Sequence, residues 1–455
     1  MKKMKNYKVA IVGGGPAGMI AAISAAKEIK TPYKVVLIEK NEKLGKKLLL
    51  TGGGRCNITN LSPIKKLINQ FRKEDKLFLK HSIYNLNNHD LLNIFRNKGL
   101  EFKEEENGRC FPTTEDSNSV LSILKEYLEE LNIEVLLNFH VKSIIKKENE
   151  RLKIKLNEKV NETIEEKNNL FRISTNKKDI FCEKVILATG GKSYPHTGSN
   201  GEGYSLATKF GHSISQLMPG ATPLEINDPY LNKLSGITLE NVEISYKINN
   251  NQAIEKCKVV KVRGNILITH SGLSGPGILD ISNHISLDNQ CEYSKLTLNG
   301  VYIEIDLIPN INEEKLNEMI IKDSSTNGKT MIKNYLKIYL KNRFIDFFLN
   351  KSQVSGNKTL SNMTKKDKKA IINALKHFKV EINSMNKKAS MITCGGVKIN
   401  EINPKTMESK ISGVNGLYFA GELLESYGPT GGYNLQIAFS TGYLAGKSAG
   451  ESVIQ

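Results

Sequence analysis

The sequence predicts an α/β fold in which both chain ends build one nucleotide-binding domain, while the middle supplies a small β-barrel and a helical segment. Three observations predict it. A complete βαβ unit with glycine-rich turns opens the chain. A second buried strand with a Gly-acid end, GLYFAGE at 416–422, followed by a small-residue helix at 433–449, closes it. Between them, from about residue 192, the texture changes to short alternating strands separated by Gly, Pro and Asn turns.

The elements follow in order. Tyr7 to Val12 is an apolar run of the length of a buried strand. Gly13, Gly15 and Gly18 give the GxGxxG spacing. Pro16 and Ala17 open a helix that continues through Met19 to Ala26, and Val35 to Ile38 form a second strand ending in Glu39. The first glycine permits the tight turn, the second lets the backbone approach a pyrophosphate, and the third lets helix pack on strand. The helix N-terminus offers free N–H groups to the phosphates. Glu39 stands 21 residues beyond Gly18, where a carboxylate can accept both ribose hydroxyls. TGGGRCN at 51–57 follows directly. Thr51, Gly52, Gly53 and Gly54 expose backbone N–H groups to a flat ring, Arg55 and Asn57 can donate hydrogen bonds, and Lys46 and Lys47 add positive charge near a pyrophosphate. That pairing points to a flavin rather than a nicotinamide.

Residues 64–131 read as helical. Residues 133–182 read as strands around a polar hairpin, NEKVNETIEEKNN at 157–169, and KVILATGG at 184–191 reads as a buried strand returning to the main sheet. In SKLTLNGVYIEIDLIP, Val301, Ile303, Ile305 and Leu307 alternate with Tyr302, Glu304 and Asp306, and Asn299-Gly300 reads as a hairpin turn. Residues 312–349 and 364–378 read as helices. Ile332, Leu336, Tyr339, Leu340, Phe344 and Phe347 make an apolar stripe, with Lys333, Lys337 and Lys341 as a basic stripe beside it; Lys365, Lys366, Lys368 and Lys369 begin the next helix. GPTGGYNLQ at 428–436 is a second glycine loop opening a helix near Tyr433. Such an N-terminus, aimed at the pyrimidine end of an isoalloxazine, would stabilise the anionic reduced ring. The expected domains are 1–191 with 387–455 (nucleotide binding), 192–310 (barrel) and 311–386 (basic helical subdomain).

Bulk properties narrow the class. The 455 residues are 39% hydrophobic and contain no uninterrupted apolar run of transmembrane length. MKKMKNYKVAIVGGG superficially resembles a signal peptide, but its apolar stretch is short and runs into the fingerprint, so it is read as the first strand of a cytoplasmic protein with no membrane partner. Cysteines stand at 56, 110, 182, 257, 291 and 394 with no C-x-x-C pair, so neither a metal knuckle nor a dithiol redox motif is indicated. The net charge is +18, of which +8 falls within 311–386. That concentration points to a polyanionic partner.

The stretches GKKLLLTGGGRCNITN, ATGGKSYPHTGSNGEGY, THSGLSGPGILDIS, NPKTMESK and GLYFAGELLESYGPTGGYNLQIAFSTG run across the whole chain. On these motifs the chain resembles the bacterial flavoproteins grouped with ribosomal-RNA dihydrouridine synthase, 3-dehydro-bile-acid reductase and aminoacetone oxidase. The resemblance implies a two-dinucleotide-binding-type FAD (Rossmann-like) domain with an inserted β-barrel and a small helical subdomain. It implies FAD contacts at Gly13, Gly15, Gly18, Glu39, Lys40, Lys47, Gly53, Arg55, Cys56, Asn57, Val141, Thr189, Gly190, Gly421, Glu422, Gly432, Asn434, Leu435 and Gln436, with Gly191, Gly431 and Tyr433 beside them. The family often places an acid, any residue and then Asp before the glycine of the C-terminal loop. Here the run is Glu425-Ser426-Tyr427-Gly428, which leaves Tyr427 in place of that Asp.

No second GxGxxG unit occurs, and GLSGPG at 272–277 lacks a strand–turn–helix context. NAD(P)H is therefore expected as a transient electron donor that visits the substrate cleft. For reduction of an activated C=C bond, hydride goes to the β-carbon and an acid protonates the α-carbon. The acid candidates are Cys56, Cys394, Tyr194, His196 and Tyr427. Three readings stand: uridine reduction in ribosomal RNA, with the 311–386 lysines on phosphates; a small-molecule enone reductase of steroid or bile-acid type or an aminoacetone-type amine oxidase; and a flavin-bearing RNA-binding or assembly protein.

Overall fold

The computed structural model describes residues 6–147, 170–247, 259–289 and 297–454. The expected hairpin at 157–169 and Cys257 and Cys291 lie outside the described residues. The chain divides into two compact units, Met1–Leu217 with Thr393–Gln455 and Met218–Ile392.

The first unit is built on a seven-stranded sheet. In spatial order it runs Glu134–Leu137, Val35–Glu39, Asn6–Val12, Asp179–Leu187, Leu170–Thr175 and Val141–Lys147. Asp179–Leu187 pairs antiparallel with Leu170–Thr175 through its first half and parallel with Leu417–Phe419 through its second. Asn6–Val12 lies parallel between Val35–Glu39 and Asp179–Leu187, with Val12 level with Ile38 and Leu187. These strands carry near-continuous apolar runs because helices cover the sheet. Helix Pro16–Ile29 is buried from Ala17 to Ala26 and packs on helix Tyr433–Glu451. Three glycines make that contact. A Cβ on Gly442 would stand 2.3 Å from the Ala17 carbonyl oxygen, one on Gly446 2.1 Å from that of Ala21, and one on Gly450 3.0 Å from that of Ala25. Both series advance by four residues in the same direction, so the two helices run parallel.

Residues 64–131 are not helical throughout. Helices Ile64–Asn69, Lys73–Asn85, Asn88–Arg96 and Ser117–Glu130 flank a small antiparallel sheet of Thr59–Asn60, Arg109–Pro112 and Phe102–Glu105. Its short strands alternate too briefly to register as a period-2 pattern.

The second unit is a closed barrel. Its strands are Leu224–Glu225, Gly272–Ser274, Val259–Thr269, Thr238–Lys247, Thr297–Asp306 and Phe378–Met385, the last pairing back to the first. Val301, Ile303, Ile305 and Leu307 are buried while Tyr302 is exposed, as the alternation requires. Asn299-Gly300 is not a hairpin turn: strand Thr297–Asp306 runs through it, and the register slips between Thr297 and Val301. Gly300, at φ +68°, absorbs this bulge.

The stretch read as one helix is broken. Helix Glu313–Thr326, a turn at Ile332–Ile338 and helix Asn342–Ser352 replace it, with Lys341 extended. The break lets Phe344, Phe347 and Phe348 reach Phe378 on the barrel. The apolar stripe is nevertheless buried, apart from half-buried Tyr339. Ile332, Phe344 and Ile371 share one core with barrel residues Ile244, Ile303 and Ile382, so the 311–386 helices have no separate core. The last barrel strand also comes from that segment. Residues 192–217, expected with the barrel, belong to the first unit, and 387–392 to the second.

Candidate cofactor site

The glycine-rich turns of the first unit divide into crowded and open positions. Gly13, at φ +111°, would place a Cβ 2.4 Å from the Ala188 carbonyl, and Gly18 would place one 1.8 Å from that of Gly13. These two serve packing. A Cβ on Gly15, Gly53 or Gly54 meets nothing within 4 Å, so their backbones border open space. Helices Pro16–Ile29 and Tyr433–Glu451 start at Gly15 and Gly432, and neither has a side-chain cap. Their first N–H groups are available to an anion or a carbonyl. Thr189 Oγ1 is buried with no hydrogen-bond partner among the described residues.

The parallel register sets the distance between the two helix starts. Gly442 is level with Ala17, so Tyr433 begins its helix eight residues, roughly 12 Å, beyond the level of Pro16. Two helix N-termini facing one way at that offset suit a ligand that carries an electron-accepting ring and, further along its length, a pyrophosphate.

Other expected contacts are committed to the protein. The Glu39 carboxylate accepts from Gly14 N at 2.7 Å, Asn41 N at 2.8 Å and Asn41 Nδ2 at 2.7 Å. Three of about four acceptor positions are thereby filled. Arg55 donates to Glu105 at 2.7 Å and Glu115 at 3.0 Å and lies 4.0 Å over Phe111. It holds the Glu105 carboxyl below its ordinary value. Asn57 Oδ1 accepts from Cys110 N. Asn434 closes its own loop on Gly428 and Pro429. The fully buried Gln436 bonds Thr59, Leu86 and Ser440, so its side chain is absorbed by the core. Lys40 pairs with Glu202, Lys46 sits 3.9 Å from Glu42, and Val141 begins a sheet strand.

A polar network gathers Lys47 and Glu422. Glu422 accepts from Lys47 Nζ at 2.5 Å, Ser193 Oγ at 2.8 Å and Thr393 N at 2.9 Å. Ser193 and Thr393 went unremarked in the sequence, although each adjoins a marked motif residue. Arg72 and Asp75, which pair with each other at the start of helix Lys73–Asn85, had no signal at all, because they lie in a polar helical stretch.

The acid candidates separate by access. Cys56 and Cys394 are fully buried by protein alone, and burial pushes each thiol up to about 12. Neither can reach a substrate, which corrects both assignments. The Tyr427 hydroxyl is enclosed as well; burial and the neighbouring Cys394 raise it above its ordinary value. Tyr194 is half-buried, with its hydroxyl raised by burial, and His196 is exposed edge-on to it at 5.7 Å. Among the described residues no helix is long and apolar enough to cross a membrane, and no group of three His, Cys, Asp or Glu is placed to hold a metal ion.

Residues 7–448 match the family model described as the HI0933-like protein Rossmann domain. The chain belongs to the HI0933-like family. As a member it has the family's Rossmann-like α/β fold and is an FAD-dependent oxidoreductase. It is 30% identical over 437 residues to the ribosomal RNA dihydrouridine synthase of Haemophilus influenzae, covering 95% of this chain and 96% of that one. To the protein of the same name in Escherichia coli it is 27% identical, covering 97% of each. To the 3-dehydro-bile acid delta(4,6)-reductase of Clostridium scindens it is 28% identical, covering 98% of this HI0933-like chain and 99% of that one.

Proposed function

We propose that this flavoenzyme reduces an activated C=C bond, and that the bond is the C5–C6 double bond of uridine in ribosomal RNA. When bound, FAD supplies a hydride, here to C6. The chain's own residues do the rest. The open backbone at Gly15 and the N-terminus of helix Pro16–Ile29 would hold the pyrophosphate. Gly53, Gly54 and the N-terminus of helix Tyr433–Glu451 would hold the ring. Lys47 is fixed by Glu422 and Ser193, and its charge is matched by that carboxylate. Of the acid candidates, Tyr194 and His196 keep a protonatable group accessible for delivery to C5. NAD(P)H would be the donor, and a ribosomal substrate puts the work in the cytoplasm.

The observation that carries the flavin reading is the pair of parallel, uncapped helix starts offset by roughly 12 Å. The RNA reading rests on two relatives named for that substrate and on charge. In the second unit, Lys337, Lys365, Lys366 and Lys369 are exposed and make no ion pair with the described residues. Lys333 and Lys341 of the same expected stripe pair with Asp346 and Glu240 at 2.8 Å, so the stripe is interrupted. Lysines in the first turn of helix Lys365–Lys376 oppose the helix dipole by about 0.3–1 kcal/mol each. A polyanionic partner would offset that cost. A bulky enone is the second reading, favoured by near-equal identity to the bile-acid reductase.

Deleting the gene and mapping ribosomal-RNA dihydrouridine by mass spectrometry decides between them. Loss of a dihydrouridine is the expected result. An unchanged content, with the purified enzyme reducing a steroid enone, would transfer the function to the second reading.

A further inference from the structure

Helix Lys73–Asn85 begins on an ion pair between half-buried Arg72 and a buried carboxylate. Asp75 is fully buried, and its two oxygens accept from Arg72 Nε at 2.6 Å and Nη2 at 3.0 Å. The same guanidinium lies 4.3 Å over the Tyr427 ring, and Nη2 also donates to the Glu425 carbonyl at 3.2 Å. One residue earlier, Phe71 meets Tyr433 edge-on at 5.9 Å, and a Cβ on Gly428 would stand 2.8 Å from the Phe71 ring. Two consecutive side chains therefore hold the 425–433 loop at its first, third and fourth residues and at the start of the following helix.

A buried carboxylate is costly to keep, and a paired one seldom outperforms an apolar replacement in net stability. What the pair supplies is direction. The planar guanidinium, gripped on one edge by a bidentate carboxylate, presents its other edge to a carbonyl and its face to a ring. Lysine reproduces none of that geometry.

We infer that Arg72, oriented by Asp75, is a positioning residue that seats the 425–433 loop and so aims the N-terminus of helix Tyr433–Glu451 at the flavin. This rests on the flavin reading above. The positive helix end favours the negatively charged reduced ring over the neutral oxidised one, so the seating sets both flavin affinity and reduction potential.

The test titrates FAD into the apo full-length chain by fluorescence and measures the midpoint potential of the holoenzyme, for the parent, Arg72→Gln, Arg72→Lys and Asp75→Asn. Thermal unfolding of each apo chain is recorded alongside. Arg72→Gln should weaken binding of the reduced flavin about tenfold, near the upper range of one helix-end interaction, and that of oxidised FAD by less, so the potential moves to more negative values. Asp75→Asn should move both in the same direction, and Arg72→Lys should not restore them. If Arg72→Gln does not fold, Arg72→Lys carries the same two readouts. A parent chain that binds no FAD would overturn the flavin reading itself. A parent that binds it, with variants unchanged in affinity and potential even if they melt earlier, would overturn the positioning role alone.

Discussion

At the scale of single residues, the polar side chains proved less available than their motifs suggested. Arg55, Asn57, Asn434 and Gln436 each sit in a glycine-rich motif, yet each spends its side chain on a partner far away in sequence or on its own loop. Nothing in the local pattern announces such partners, because a hydrogen bond to Glu105 or Leu86 depends on the fold already being made. His212 illustrates a related case. It is buried, its Nε2 lies 2.8 Å from Ser409 Oγ, and its Nδ1 lies 3.3 Å from Glu401, too obliquely for a hydrogen bond. Burial lowers its pKa below the ordinary 6.5, although Glu401 pulls the other way. A histidine lowered on folding binds its proton more readily in the unfolded chain. Its contribution to stability is thus whole above about pH 6.5 and is lost as pH falls below it. Denaturant midpoints between pH 7.5 and 5.5 should therefore decline, and His212→Asn should flatten that decline while lowering the plateau.

At the scale of elements, periodicity served well wherever one face is buried. The first strand, both glycine-opened helices and the alternation through Val301–Leu307 could be read directly, because burial repeats at the period of the element. It failed at the break around Lys341 and at the Asn299-Gly300 bulge. There the chain bends to satisfy a distant surface, the Phe378 cluster in one case and strand Phe378–Met385 in the other. The contact between helices Pro16–Ile29 and Tyr433–Glu451 gives a sharp expectation. Gly446→Val would drive a branched side chain into the Ala21 carbonyl, where even a Cβ would stand 2.1 Å away. The cost should be about 1–3 kcal/mol, seen as a lower melting temperature, with FAD affinity falling in step as the two helix starts part. Helix Lys365–Lys376 should behave oppositely. Replacing Lys365, Lys366 and Lys369 by Gln removes two first-turn charges that oppose the dipole and one exposed charge a turn further on, so the melting temperature should hold or rise while affinity for ribosomal RNA drops. The slope of log affinity against log salt should become shallower by about 0.7–0.9 for each phosphate the protein no longer neutralises. An unchanged slope would locate RNA binding elsewhere.

At the scale of the whole molecule, the sequence conveyed the order of parts better than their limits. Both chain ends do join in one sheet, through Asn6–Val12, Asp179–Leu187 and Leu417–Phe419, and the barrel does come from the middle. The helices of 311–386 could not be recognised as part of the barrel's own core, since an amphipathic stripe states that a face is buried without saying against what. The glycine ladder between the two long helices has a further bearing, on how far a flavin ring is held from its phosphate. A packing contact that fixes the register of two helices also fixes a length, and slipping it by one turn would change that length by about 5.4 Å. The pair thus acts as a caliper, set by Gly442, Gly446 and Gly450 rather than by any residue that touches ligand. A flavin's ring and its first phosphate are joined by the same ribityl chain in the mononucleotide and the dinucleotide, so both ends of the caliper bear on the half that the two flavins share. The reach from ring to phosphate would then be written in the spacing of the scaffold.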